Sequence, residues 1–163
     1  MIGTTVERER MTLWIDADAA PREVKDICFR ASQRLAIPCV MVANRSLATP
    51  PGMPLVSAVC VDGGMDVADA YIVEHAQAGD LAVTQDVPLA ALLVPKRVVV
   101  IDPRGDEHTE HTIGERLGVR DLMDSLRGAG VTTSGPPPYD ARAKQAFAST
   151  LDRALTRLTR SRS

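Results

Sequence analysis

Aromatic residues are scarce in this chain, which has one Trp, two Tyr and two Phe in 163 residues. So few rings cannot build a stacking platform for single-stranded bases, so any nucleic acid would have to be held mainly by its phosphates. An excess of positive charge is lacking too. Nineteen Lys and Arg against 21 Asp and Glu leave a net charge of −2, which argues against coating nucleic acid through bulk electrostatics. Cysteine is limited to Cys28, Cys39 and Cys60, an odd number with no C-x-x-C spacing. They make a poor disulfide or zinc framework and fit well as small core hydrophobes in a reducing compartment, so a cytoplasmic protein is expected. No apolar run approaches the ~18 residues of a membrane span, and no signal-peptide core is visible, so no membrane contact is expected.

What remains is ordinary globular material. With 45% hydrophobic and 25% charged residues over 163 positions, the chain suits one core and is short for two. We expect a single domain over residues 11–160. Residues 1–10 are polar and charged, and read as an extension without fixed structure, with Met11 as an alternative start. A homo-oligomer is compatible with this composition but not readable from it.

The pattern predicts strands at Thr12–Asp16, Ile37–Ala43, Leu55–Val61, Leu81–Thr84 and Arg97–Ile101. Helices are predicted at Pro21–Leu35, Val67–Ala78 and Pro88–Leu93. This rhythm predicts an α/β fold: a mostly parallel sheet of about five strands with helices on both faces. C-terminal helices follow: one capped by Thr112-x-x-Glu115, a separate piece at Val119–Arg127, a Ser/Gly/Pro loop at Thr132–Pro138, and Asp140–Arg160. The last carries Phe147, Leu151, Leu155 and Leu158 on its buried stripe, with Arg153, Arg157 and Arg160 opposite. Those arginines read as a solvated face, or as a protein or RNA contact.

In an open parallel sheet, ligands bind outside the carboxyl ends of the strands. Asp16 and Asp18 end the first predicted strand, and Asn44 and Arg45 follow the second. Asp62 and Asp66 follow the third, and Asp69 opens the next helix. Thr84 ends the fourth strand with Asp86 two residues on, while Asp102 ends the fifth. Carboxylates gathered in one crevice repel one another unless a cation neutralises them. Oxygen-only donors suit Mg²⁺ or Mn²⁺, which activate water for attack on a phosphodiester. Taken singly, each acid is more often a cap or turn residue than a functional one, and it is their convergence that singles out Asp16, Asp69 and Asp86. Asp80 reads as a turn, His108 and His111 as surface residues, and His75 as structural. Asn44, Arg45 and Arg104 are candidate phosphate contacts, since the arginine fork donates two hydrogen bonds.

The segments Trp14-Ile-Asp-Ala-Asp-Ala-Ala-Pro21, Val42-Ala-Asn-Arg-Ser-Leu47, Asp66-Val-Ala-Asp69, Gly79-Asp-Leu-Ala-Val-Thr-Gln-Asp86 and Asp102-Pro-Arg-Gly105 resemble the YaiI/YqxD family of small bacterial proteins. The resemblance extends over roughly Met11 to Leu158. The cysteine usual before Pro21 is replaced by Ala20, which argues against a catalytic thiol. More distantly, the chain resembles PIN-like nucleases in three places: Asp16-x-Asp18 after the first strand, Asp69-x-x-Ile72 opening a helix, and Thr84-x-Asp86 after a short strand. That resemblance implies a PIN-like domain in which Asp16, Asp69 and Asp86 are catalytic and bind Mg or Mn with Asp18, supported by Thr84 and Asp66. RNA or another nucleic acid would be the substrate.

Two other readings stand beside it. One is a non-catalytic PIN-like binding or regulatory protein. The other is a haloacid-dehalogenase-type phosphatase, because Asp16-Ala-Asp18 also resembles its D-x-D. Against the latter, Asp80 precedes the fourth strand while Asp86 follows it, and no lysine stands in the late position that class requires.

Overall fold

The computed structural model describes residues 11–130 and 138–160; the expected extension at 1–10 and most of the Ser/Gly/Pro loop lie outside them. Among the described residues, six strands form one sheet: β1 (Leu13–Asp16), β2 (Cys39–Ala43), β3 (Val56–Cys60), β4 (Leu81–Val83), β5 (Val99–Ile101) and β6 (Glu107–His108). Their order is β3-β2-β1-β4-β5-β6, the first five parallel and β6 antiparallel to β5. Five α-helices accompany them: α1 (Arg22–Leu35), α2 (Met65–His75), α3 (Val87–Leu93), α4 (Glu110–Gly128) and α5 (Ala141–Arg160). The expected α/β class with C-terminal helices is what the structure shows.

Alternation along each strand sends successive side chains to opposite faces. Leu13, Ile15, Met41, Val83 and Ile101 meet Val24 and Cys28 of α1 with Phe147, Leu151 and Leu155 of α5. On the other face Trp14, Val42, Ala82 and Val100 meet Ala68 and Ile72 of α2, Leu89 and Leu93 of α3, and Ile113 of α4. Both faces are therefore covered, which is why these strands read as unbroken apolar runs.

Four expectations need correction. β6 escaped because two residues carry no period; it exists because Gly105, at φ +92°, reverses the chain after β5. Thr112 is not an N-cap. Thr109 is, with its Oγ1 accepting from Thr112 N at 3.2 Å and Thr112 Oγ1 accepting from Thr109 N at 2.8 Å. The two helical pieces are one helix that passes through Gly118, since a helical glycine costs about 1 kcal/mol without ending the helix. Cys60, on the edge strand, is exposed, while Cys28 and Cys39 are buried as expected.

Candidate functional site

The strand order reverses between β1 and β4: β2 and β3 lie to one side, β5 and β6 to the other. The connections from those two strands depart in opposite directions, which opens a crevice at their carboxyl ends. A cleft of about 290 Å³ sits beside them, lined by Asp16, Asp18, Ala19, Asn44, Ala68, Asp69, Gln85 and Asp86. Three separate elements deliver its central acids: the last residue of β1, the second turn of α2, and the N-cap of α3.

These acids are held by specific partners. Thr84 Oγ1 donates to Asp16 Oδ2 at 2.8 Å and accepts from Asp86 N at 3.0 Å, so one buried hydroxyl fixes both residues. Asp86 Oδ1 accepts from Leu89 N at 2.9 Å and so caps α3. Burial pushes the Asp16 carboxyl up, Asp86 and Asp18 add to this, and the Thr84 hydrogen bond opposes it. Asp69 is pushed up to about 6, first by burial, then by the charges of Asp86, Asp16 and Asp66, and by its hydrogen bond with Asp86. The neighbouring charges that raise Asp69 are of the kind a bound cation would offset.

Asp18 stands differently. Its Oδ2 accepts from Asn44 N at 2.7 Å and Asn44 Nδ2 at 3.1 Å, and its Oδ1 lies 3.6 Å from Arg45 Nε. It therefore clasps the β1 and β2 loops together. Among the described residues the buried Oδ1 of Asn44 has no hydrogen-bond partner. Asp66 is exposed in the first turn of α2 and does not line the cleft, although its charge reaches Asp69. Arg104 does not line it either; its guanidinium lies 5.9 Å from the Tyr139 ring. Asp102 is buried, accepting from Arg104 N at 2.9 Å, Asp106 N at 3.1 Å and Arg116 Nη1 at 3.0 Å, so it organises the β5–β6 turn.

Asp80 is at the opposite end of β4 and buried. It accepts from Thr12 N (2.9 Å), Trp14 Nε1 (3.1 Å) and Gln77 N (2.9 Å), which makes it a structural hub rather than a partner for Asp16. Sequence reasoning missed Gln85 as a lining residue, though its place inside Thr84-x-Asp86 carried the signal. It also misplaced His108, which is buried with neither ring nitrogen bonded. His108 pairs with Val100 and shares the inward direction of that strand position.

A family model described as "Uncharacterized BCR, YaiI/YqxD family" matches residues 14–157, a span that contains every residue lining the cleft. This chain belongs to that family. Among YaiI/YqxD relatives, a "UPF0178 protein" of Myxococcus xanthus is 56% identical over 150 residues, 92% of this chain and 97% of that one. A UPF0178 protein of Geobacter sulfurreducens is 54% identical over 151 residues, 92% of this chain and 99% of its own. One from a Shewanella strain is 45% identical over 152 residues, 93% and 99% of the respective chains. No solved structure matches.

An all-oxygen donor set of this kind suits a hard cation that keeps much of its water shell. Among the described residues, no three His, Cys, Asp or Glu side chains stand close enough to enclose a metal ion. One or two carboxylates with waters and a substrate phosphate are the usual donor set for Mg²⁺.

Proposed function

We propose that the chain is a PIN-like, divalent-metal-dependent hydrolase of RNA or another phosphodiester. The observation that carries this is the electrostatic coupling of Asp16, Asp69 and Asp86 in one cleft at the β1/β4 crossover. Asp16, Asp69 and Asp86 would hold Mg²⁺ or Mn²⁺, one or two of them directly and the rest through the ion's waters, with Asp18 as an outlying contributor. The ion would supply Lewis acidity and a more acidic bound water.

The chain's own groups prepare the site. Thr84 holds Asp16 in one orientation through its hydroxyl. Asp18 orients the Asn44 amide at the edge of the cleft. Arg45 faces Asp18 from the rim and supports phosphate from there. Arg104, turned towards Tyr139, is not carried forward as a phosphate contact. Asp66 supports by raising the proton affinity of Asp69.

Among the described residues no Lys or Arg lines the cleft, which favours a second reading, a cation-binding module without turnover. The deciding experiment is calorimetric titration with Mn²⁺ of the wild type and Asp86→Asn, followed by cleavage assays on RNA and DNA with Asp16→Asn as control. Asparagine is a good N-cap, so Asp86→Asn keeps α3 anchored while removing the charge. Metal binding lost in Asp86→Asn, with metal-dependent cleavage lost in Asp16→Asn, supports the hydrolase. Binding without cleavage supports the module, and no binding refutes both.

A further inference from the structure

The cleft is rich in acceptors and almost without donors. Of its lining residues, Asp16, Asp18, Asp69 and Asp86 are carboxylates, which only accept once ionised, and Ala19 and Ala68 end in a methyl group. Asn44 directs its Nδ2 to Asp18 Oδ2 at 3.1 Å. Arg45 stands at the rim with its Nε 3.6 Å from Asp18 Oδ1. The remaining side-chain donor among the lining residues is the amide of Gln85.

That amide is held loosely on a firmly held backbone. Gln85 sits between Thr84, whose buried hydroxyl bonds Asp16 and the Asp86 N–H, and Asp86, which caps α3. The side chain itself is exposed, and its Nε2 reaches the Ala19 carbonyl at 3.4 Å, beyond the ~2.7–3.2 Å of a good N–H···O bond. A primary amide carries two N–H donors, so one can stay on Ala19 while the other meets a ligand. Its lack of charge matters as much. A Lys or Arg here would be drawn into ion pairs with the crowded carboxylates and would take the place of a cation. A phosphate entering this cleft brings negative charge towards those carboxylates, so it needs a cation and a neutral donor that the acids do not capture.

Resting on the metal-dependent reading of the cleft, we infer that Gln85 is a substrate-binding residue whose Nε2 donates to a non-bridging phosphate oxygen of the bound nucleotide. The cation draws the phosphate in from the acidic side, and Gln85 orients it from the wall formed with Ala19. The acceptor is charged, which places this among the stronger hydrogen bonds. Contact with phosphate leaves the sugar unread, so ribonucleotides and deoxyribonucleotides are held alike.

Calorimetric titration of the Mn²⁺-loaded full chain with adenosine monophosphate, deoxyadenosine monophosphate and adenosine tests this. None of the three contains a phosphodiester to be hydrolysed. Gln85→Ala should weaken both monophosphates by at least about tenfold, the loss expected for one hydrogen bond to a charged group. It should leave adenosine and Mn²⁺ binding as in the wild type. Gln85→Asn, with the amide on a shorter arm, should fall between. The side chain is exposed, so neither change endangers the fold. A wild type that binds Mn²⁺ but neither monophosphate, or binds them equally well after Gln85→Ala, overturns the inference and leaves the metal reading intact. Loss of Mn²⁺ affinity in Gln85→Ala overturns it as well, because the residue then acts on the metal site. A loss confined to the ribonucleotide overturns the phosphate contact in favour of the ribose hydroxyl. A wild type that binds no Mn²⁺ overturns the metal reading and this inference together.

Discussion

Replacing Asp69 by Asn should stabilise the metal-free protein fully above about pH 6 and not at all by pH 4. The folded state raises this carboxyl from 3.8 to about 6. As pH climbs through that window, the unfolded chain has released its proton while the folded one still holds it. Stability therefore falls between pH 3.8 and about 6 and stays level above. At full strength the shift corresponds to ~3 kcal/mol. Asp69 is half-exposed, and solvent screening reduces this to about 1 kcal/mol. Asparagine keeps a donor for Asp86 and carries no charge. Thermal unfolding of Asp69→Asn in chelator at pH 8 should thus show a Tm about 2–4 °C above wild type, a gain that disappears by pH 4. Excess Mn²⁺ should reverse the order, because a ligand at 100 times its dissociation constant stabilises the wild type by about 2.7 kcal/mol and the variant by less. A variant no more stable than wild type at pH 8, or a difference independent of pH, would refute the crowding of these acids.

Other outcomes follow from the scaffold. Asp80→Ala strands three donors, the N–H groups of Thr12 and Gln77 and the Trp14 indole. It should cost about 3 kcal/mol in denaturant unfolding, with an emission shift reporting the only Trp. Gly105→Ala would put a Cβ 2.6 Å from the backbone carbon of Ala146 at a φ of +92°. It should lose roughly 2 kcal/mol or more and loosen α5, measurable as faster amide exchange along that helix. His108 resists protonation, chiefly through burial and then through Arg116, against the opposing pull of Asp102 and Asp106. Its folded value lies below 6.5, so acidification below pH 6.5 should erode stability by at most ~1.4 kcal/mol per pH unit. His108→Leu should flatten that slope in pH-resolved unfolding curves; an unchanged slope would mean the imidazole is not the group responsible.

The site's skeleton was legible because parallel sheets obey a positional rule. Once the strands ending at Asp16 and near Thr84 are read from their apolar runs, the acids that follow must share an edge. The structure puts Asp16, Asp69 and Asp86 in one cleft there. What the rule cannot see is how each acid is already engaged. Asp18 and Asp86 look equivalent as letters, yet one is occupied by Asn44 and Arg45 while the other caps a helix and presses its charge on Asp69. Arg104 shows the same limit. It follows the strand-end Asp102 as Arg45 follows Asn44, but the turn at Gly105 carries it towards Tyr139 instead.

The failures beyond the sheet have a different physical origin. Period-based reading asks whether a helix has an apolar face, and α4 answers twice, with two faces on opposite sides separated near Gly118. That looks like two short helices to any reading that assumes one core. It becomes intelligible only when the first face is seen spent on Ile113 and Leu117 against the sheet, and the second left facing outward. His108 is the converse case. Nothing in Glu107-His-Thr109 marks a strand, and a histidine after an acidic turn reads as solvated. A two-residue ladder with β5 is enough to turn it inward beside Val100. In both places the deciding information is long-range packing, so the sites most exposed to misreading are those where a short element borrows its geometry from a neighbour.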